Sequence, residues 1–282
     1  GSSSVNWFEQ APCRVNAAKC RPDFCMNSAI LPDHSPTDRL RLAAGFINLG
    51  SEIMLVLDFQ ATKARAEKGD IAAQYNLGVM YDNGMAVTED PAEAARWYRR
   101  AAEQGDPEAQ SNLGVLYDVG RGVPKDFVEA VKWYRRAAEQ GHPRAQYNLA
   151  LMHENGLGVR QSDAEAAEWY LRAAEQGIVE AQSNLGCMYA NGRGVPQDYD
   201  QALKWNGLAA EHGYAQAQFN LGVFHAKGLG VPLDYIEAYK WFSLAASQRN
   251  AQAVSTLYLF SQVMPPAQIA EAKRRAAELK AK

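Results

Sequence analysis

The feature that most constrains this 282-residue chain is a segment that recurs every 36 residues. Residues 73–105 read AQYNLGVMYDNGMAVTEDPAEAARWYRRAAEQG, and residues 109–141 read AQSNLGVLYDVGRGVPKDFVEAVKWYRRAAEQG. Further copies start at 145, 181 and 217, and the register never slips. One tryptophan occupies the same position in each of the five copies: Trp97, Trp133, Trp169, Trp205 and Trp241. Repeats of this length indicate an array of small, similar units that stack on one another.

Each copy predicts two helices. In the first, which we call helix A, Ala73, Leu77 and Tyr81 follow the four-residue spacing of one helical face. Gly84 then ends helix A, because glycine adopts the left-handed backbone found at helix C-termini. The second, helix B, begins with a capping box formed by Asp90 and Glu93. One hairpin cannot bury both of its faces, so the copies are expected to stack into an all-α solenoid.

The repeat resembles the Sel-one-like repeat (SLR), a relative of the tetratricopeptide repeat. The shared pattern is A-x-A-x-x-x-L-G-x-x-Y-x-x-G-x-G-V-x-x-D-x-x-x-A-x-x-W-Y-x-x-A-A-x-x-G, and it extends over residues 70–249. The resemblance implies a right-handed α/α solenoid that serves mainly as a protein-interaction scaffold, without implying one partner. The end of the chain also resembles that of many bacterial members, which favours a bacterial source.

The periodicity also predicts the domain organisation. We expect an irregular leader at 1–35, degenerate N-terminal capping helices at 36–69 and C-terminal capping helices at 250–282. Five repeats are expected between the caps: 70–105, 106–141, 142–177, 178–213 and 214–249.

Charge and cysteine content limit the class of function. A net charge of −3 indicates no general attraction to nucleic acid, and no apolar run reaches the length of a membrane span. Cys13, Cys20 and Cys25 of the leader could provide one disulfide or three thiols. A disulfide would suit an oxidising compartment, which favours a periplasmic or secreted protein over a cytoplasmic one. Some secreted bacterial SLR proteins have paired cysteines in each repeat, and this chain lacks them. Cys187 is expected to be an apolar thiol.

Enzyme and metal signatures are missing from the sequence. The chain has no G-x-S-x-G, H-E-x-x-H or G-x-x-x-x-G-K motif, and no Ser-x-x-Lys pair, so a β-lactamase-like hydrolase is only a remote alternative. The spacing of the leader cysteines fits no common zinc site. His153 and His225 replace tyrosine in two repeats and are expected to pack there rather than share a metal. We therefore expect no catalysis, no metal and no cofactor.

Three columns of helix A provide candidate contact residues, because by resemblance to tetratricopeptide scaffolds this helix lines the concave groove. The first column offers amides that either grip a bound peptide or bond between neighbouring helices: Asn76, Asn112, Asn148, Asn184 and Asn220. The second offers aromatic rings that either contact a partner or fill space between helices: Tyr75, Tyr147 and Phe219, with Ser111 and Ser183 between them. The third is acidic in the first three copies: Asp82, Asp118 and Glu154.

These columns predict a mostly negative groove that binds a protein or peptide with basic or mixed charge. An alternative uses the opposite, convex face, as in an envelope adaptor or an assembly or virulence-associated factor. Helices B of the first three copies contribute basic residues there: Arg96, Arg99, Arg100, Lys132, Arg135, Arg136 and Arg172. That face is either solvated or a contact for an acidic partner, anionic lipid or nucleic acid. The oligomeric state stays open.

Overall fold

The structure, a computed structural model, describes residues 51–280. The expectations for the leader, including Cys13, Cys20 and Cys25, and for residues 36–50 lie outside this range. Within it the chain forms thirteen α-helices and no β-strand, which confirms the all-α class for the described residues. The helices are α1 (Ser51–Glu67), α2 (Ile71–Asn83), α3 (Pro91–Glu103), α4 (Pro107–Val119), α5 (Phe127–Glu139), α6 (Pro143–Asn155), α7 (Asp163–Glu175), α8 (Val179–Asn191), α9 (Tyr199–Glu211), α10 (Ala215–Lys227), α11 (Tyr235–Ser247), α12 (Ala251–Val263) and α13 (Pro266–Lys280).

The helices belong to two compact units, one ending at Gln161 and the other beginning at Ser162. In the first unit α2 pairs with α3 and α4 with α5, and each helix B also packs on the next helix A. In the second unit α8 pairs with α9 and α10 with α11 in the same way. Each unit is therefore a stack of helix hairpins, as the repeat predicts. Within residues 51–280 none of the helices combines the length and apolar character needed to cross a bilayer.

Polar side chains cap the start of many helices where the sequence predicts it, whereas Ile178 before α8 and Tyr214 before α10 form no side-chain cap bond. Asp70 Oδ1 accepts a hydrogen bond from the Ala73 amide at 2.8 Å and so caps α2. Asp90 Oδ1 caps α3 by accepting from the amides of Ala92 and Glu93 at 3.0 and 3.1 Å. These bonds satisfy amides that have no partner inside the helix, so each boundary is determined locally.

Glycine in the loop after helix A is required by both conformation and space. Gly122 has a φ of +70°, and a Cβ there would lie 2.1 Å from the carbonyl oxygen of Pro91, at the start of the preceding helix B. The loop of one repeat therefore lies directly on the previous hairpin. The first repeat has Ala86 at the same position, still with a positive φ of 58°.

Small and large residues alternate in the core so that helices A and B approach closely. Leu77 and Leu113 are fully buried, and a Cβ at Gly114 would lie 2.6 Å from Cδ1 of Tyr134. Trp97, Trp133 and Trp205 are buried. Trp169 and Trp241 are partly buried.

A glutamine ladder, which the sequence analysis did not single out, runs along the same core. Gln110 Nε2 donates to the carbonyl of Ala102 at 3.0 Å, and Gln140 Nε2 donates to Gln110 Oε1 at 2.7 Å. The same bonds join Gln74 to Ala66 and Gln104 to Gln74 one repeat earlier. The ladder links each helix A to the helices B on both sides of it, so a buried polar column becomes part of the stack.

Candidate functional site

Besides Asp118 of α4, six side chains on the helices A of the first unit remain at least partly exposed and lie in the columns that the sequence singled out or next to them. We call them the helix A surface: Tyr75 and Asn76 on α2, Glu108 and Asn112 on α4, and Arg144 and Tyr147 on α6. Their positions follow from the 36-residue spacing, which places equivalent residues of successive helices A in one row.

The predicted aromatic residues pack within their own hairpins. The Tyr75 ring lies 6.0 Å from the ring of Tyr98, and the Arg144 guanidinium lies 5.6 Å from the centre of the Tyr147 ring. In the second unit Phe219 lies 5.4 Å from Phe242. Tyr75, Tyr147 and Phe219 are all partly exposed, so packing between helices and contact with a partner are compatible at these positions.

The asparagine column divides into accessible and buried members. Asn76 is exposed, and Asn112 and Asn184 are partly exposed. Asn148 and Asn220 are buried, with 8% and 0% of their surface exposed. In the first unit the Asn112 side chain hydrogen-bonds Tyr98 of the neighbouring helix B. The structure therefore does not bring all five amides to one open surface.

Asn220 is the centre of a buried polar network in the second unit. Its Nδ2 donates to Asn206 Oδ1 at 2.9 Å and to Cys187 Sγ at 3.2 Å, and its Oδ1 accepts from Gln216 Nε2 at 3.2 Å. Cys187 is buried, as predicted, but with a polar neighbour. Asn206 replaces the tyrosine or phenylalanine of the other copies, a signal in the sequence that could have revealed this network.

The acidic column lies mostly inside the hairpins. Asp82 is only 4% exposed, and its Oδ1 lies 2.8 Å from Nη1 of Arg121, which comes from the loop of the next repeat. Arg121 Nη2 also donates to the Asp82 carbonyl at 2.7 Å and to Glu89 at 2.8 Å. Burial raises the pKa of Asp82, whereas the charge of Arg121 lowers it in part. The Asp82 carboxylate is thus paired within the protein.

Asp118 and Glu154 differ in accessibility. Asp118 is partly exposed; burial raises its pKa, while Lys125 and the Tyr134 hydroxyl, 3.5 Å from Oδ2, lower it in part. Glu154 is buried, with 3% exposed. Of the three acidic residues predicted to face a partner, Asp118 is therefore the one that solvent reaches most readily.

His142 connects the first turns of α4 and α6. Its Nδ1 accepts from the Ala145 amide at 3.1 Å, so the ring proton lies on Nε2, which donates to Glu108 Oε2 at 3.0 Å. This bond lowers the pKa of Glu108. The sequence analysis did not single out His142, although it occupies the cap position held by aspartate in the two preceding repeats.

The described residues contain no group of three or more histidine, cysteine, aspartate or glutamate side chains placed to bind a metal ion. His153 is buried in α6 of the first unit, and His225 is partly buried in α10 of the second. Burial lowers the pKa of His225, which favours its neutral form.

Comparisons with known proteins place these features in context. The model of the Sel1 repeat matches five consecutive segments: 71–106, 107–142, 143–178, 179–214 and 215–250. A solved protective antigen present in uropathogenic Escherichia coli strains, displaying an SLR fold, is 39% identical with a TM-score of 0.69. The match covers 77% of this chain and 48% of that chain, so the present chain spans about half of that protein.

A second solved structure, a Sel1 repeat protein from Oxalobacter formigenes, is 34% identical with a TM-score of 0.67. That match covers 82% of this chain and 97% of the other. Curated proteins give no match.

Proposed function

This chain belongs to the Sel1 repeat family, whose members are generally protein-interaction scaffolds, and from that premise we propose that it is a non-catalytic scaffold. Its helix A surface binds a peptide or a segment of another protein. The sequence predicts the same function. The proposal differs in using only those candidate residues that solvent can reach.

One observation supports this assignment. The alanine and leucine columns of helix A are identical in all five copies and buried, as Ala73 and Leu77 illustrate. Tyr75, Glu108 and Arg144 lie in columns that vary between copies and stay at least partly exposed on the helices A, although Ser111, in the column of Tyr75, is buried. Since packing within the stack does not require a particular residue at an exposed position, these positions are available for selecting a partner.

The chemistry of the helix A surface suits an extended segment of mixed charge. Tyr75 and Tyr147 provide apolar area with little loss of side-chain entropy. Asn76 and Asn112 can donate to and accept from a peptide backbone. Glu108 and Arg144 have opposite charges, so the partner requires a basic group near α4 and an acidic group near α6. The basic character of the partner rests on Glu108 and Asp118, because Asp82 is paired with Arg121.

A pull-down from the source organism tests the surface. We expect the triple variant Tyr75→Ala, Asn76→Ala, Asn112→Ala to lose partners that the unmodified protein retains. The matched control, Glu168→Ala with Glu175→Ala, changes exposed residues of α7, a helix B, and should retain them. Retention by the triple variant together with loss by the control would refute the assignment.

Non-catalytic behaviour needs a separate test, because the remote alternative is a β-lactamase-like hydrolase. We expect purified protein to show no turnover of ester, amide and β-lactam substrates above a heat-denatured sample. Turnover that co-purifies with the folded protein and disappears in one of the variants His153→Ala and His225→Ala would contradict the scaffold assignment.

A second candidate, an adaptor at the bacterial envelope, is favoured by the similarity to a protein described as a protective antigen. Fractionation of cells that express the natural gene tests it. Recovery with the envelope or the periplasm supports the adaptor, and recovery in the cytosol alone contradicts it.

A further inference from the structure

A cavity of about 420 Å³ lies on the helix B side of the first unit, between α3 and the loop that follows α4. We call it the arginine cavity. Its apolar part is formed by Ala92, Ala95 and Val123, and its basic part by Arg96, Arg99 and Arg100. None of these residues belongs to the helix A surface, so the cavity is a separate site.

Two of the three guanidinium groups have no carboxylate partner among residues 51–280. Within the described residues neither Arg99 nor Arg100 forms an ion pair, whereas Arg96 pairs with Glu93. Arg99 instead donates to the Tyr117 hydroxyl and lies 5.7 Å from the centre of that ring. Arg100 lies 4.4 Å from the centre of the Trp97 ring. Neutral aromatic groups thus hold both cations in place while leaving their charge available.

The next helix B repeats part of this arrangement. Arg136 lies 4.7 Å from the Trp133 ring, and Lys132 pairs with Glu129 at 3.0 Å. The positions of Arg99 and Arg100 are Gly207 and Leu208 in α9. Since α9 forms its hairpin without these cations, the fold does not require them. The arginines are therefore available for another role.

We propose that the arginine cavity binds an acidic segment of a partner protein. A small apolar side chain of the partner enters between Ala92, Ala95 and Val123, and flanking carboxylates accept from Arg99 and Arg100. Guanidinium groups suit this role because their planar fork matches a carboxylate with two parallel hydrogen bonds. This is a second interaction surface, which binds an acidic segment, whereas the helix A surface is proposed to bind a segment of mixed charge.

The shape and lining of the cavity favour an acidic peptide over nucleic acid or lipid. The rings of Trp97 and Tyr117 are already paired with arginines, so they are not free to stack on bases. A recess with an apolar part accepts one side chain, which a flat lipid headgroup layer does not provide.

Fluorescence anisotropy with a labelled probe peptide, Gly-Asp-Glu-Val-Asp-Glu-Gly, tests the proposal on the full chain. We expect saturable binding that weakens as salt rises. The double variant Arg99→Gln, Arg100→Gln should weaken binding about tenfold or more, the loss that corresponds to removing charge-assisted hydrogen bonds. The matched control Lys63→Gln, Lys68→Gln removes the same charge near the end of α1 and should stay within about twofold.

Two further measurements separate charge from geometry. The amide peptide Gly-Asn-Gln-Val-Asn-Gln-Gly should not bind. The variant Arg99→Lys, Arg100→Lys keeps the charge but loses the planar fork, so it should bind more weakly than the unmodified protein. Circular dichroism melts check that each variant is folded, which we expect because both arginines are exposed.

Three outcomes would overturn the proposal. The first is the absence of saturable binding of the acidic peptide by the unmodified protein at low salt. The second is equal affinity for that peptide in the unmodified protein and the Arg99→Gln, Arg100→Gln variant. The third is tighter binding, lost in the same variant, to a 12-base-pair DNA duplex or to phosphatidylglycerol vesicles, which would assign the cavity to another ligand class.

Discussion

Asn220 and Asn76 occupy the same position of two helices A but have different surroundings. Asn220 is fully buried and makes hydrogen bonds with Asn206, Cys187 and Gln216. Asn76 is exposed on α2. The same repeat position therefore forms buried hydrogen bonds at Asn220 and is open to solvent at Asn76. Measurements of stability can separate the structural role from a role in binding.

We predict that Asn220→Ala lowers the free energy of unfolding by about 1–3 kcal/mol, because it leaves Asn206 Oδ1 buried without a donor. Asn76→Ala should change it by less than about 0.5 kcal/mol, as is usual at an exposed position. Urea denaturation of both variants checks this. Equal losses would mean that the column is structural throughout, and Asn76 would then lose its place on the helix A surface.

Replacing a helical glycine by alanine is expected to have opposite effects on stability in two hairpins. At Gly114 an added Cβ would lie 2.6 Å from the Tyr134 ring, whereas at Gly207 of α9 nothing lies within 4 Å. We predict that Gly114→Ala destabilises the protein, because the ring must shift against a packed core. Gly207→Ala should stabilise it by about 1 kcal/mol through helix propensity. Thermal melts measure both, and a melting temperature raised by Gly114→Ala would contradict the close packing.

At the scale of elements, the loop after α4 joins one hairpin to the previous one through Arg121. This residue contacts Asp82 and Glu89, both in the preceding repeat. Within the described residues the 2.8 Å approach to Asp82 Oδ1 lacks hydrogen-bond alignment, which is consistent with a pKa raised by burial. The contact between Arg121 and Asp82 therefore joins the two hairpins, but the ionised form of Asp82 lowers the stability of the fold.

The raised pKa of Asp82 predicts how its variants respond to pH. An acid whose pKa is higher in the folded state destabilises the fold as it ionises, so this penalty declines as the pH falls through the folded-state pKa and is gone below the pKa of the unfolded chain. We expect Asp82→Asn to be at least as stable as the unmodified protein at pH 7. Arg121→Gln should lose about 3 kcal/mol at pH 7, because it leaves a buried carboxylate without its cation, and should recover at acidic pH.

Urea denaturation at several pH values tests these expectations. An Asp82→Asn variant that is much less stable at pH 7 would show that the ion pair contributes net stability. The same set of proteins also serves the binding assays, since loss of partner binding by Asp82→Asn would return this residue to the functional surface.

At the scale of the molecule, stability within each unit is expected to be a sum over neighbouring hairpins, because the described helices pack mainly on those next to them in the stack. In the second unit α13 packs on α11, and Arg275 bonds Glu237 at 2.8 Å. Burial raises the pKa of Glu237, but the hydrogen bonds from Lys240 and Arg275 outweigh it and the net shift is downward. α13 thus covers the last hairpin with an ion pair and a small apolar contact.

We predict that removing α13 by ending the chain at Met264 has a local effect. The cluster of Ala238, Phe242 and Phe260 loses its contact with Ala272, so amide hydrogen exchange should become faster in α11 and α12. Exchange in α8 and α9 should be unchanged within error. Uniform loss of protection across the second unit would contradict nearest-neighbour stability and indicate one cooperative block.

The amino-acid sequence by itself determined the class of fold, because its signals act over short distances. Capping by Asp90 and the apolar spacing of Ala73 and Leu77 both operate within one or two helical turns. The 36-residue period then specifies the stacking, since each copy presents the same faces to its neighbours. For that reason the helix hairpins and their all-α stacking were predictable from residues alone.

Only the tertiary structure decided which repeated side chains remain accessible. Asp82 meets Arg121 from 39 positions along the chain, and Arg99 meets Tyr117 from 18 positions along it. Asn206 replaces an aromatic ring, and it forms a buried hydrogen bond with Asn220. A column of identical residues predicts where each Cα lies, but the exposure of a side chain depends on the neighbours that packing brings against it.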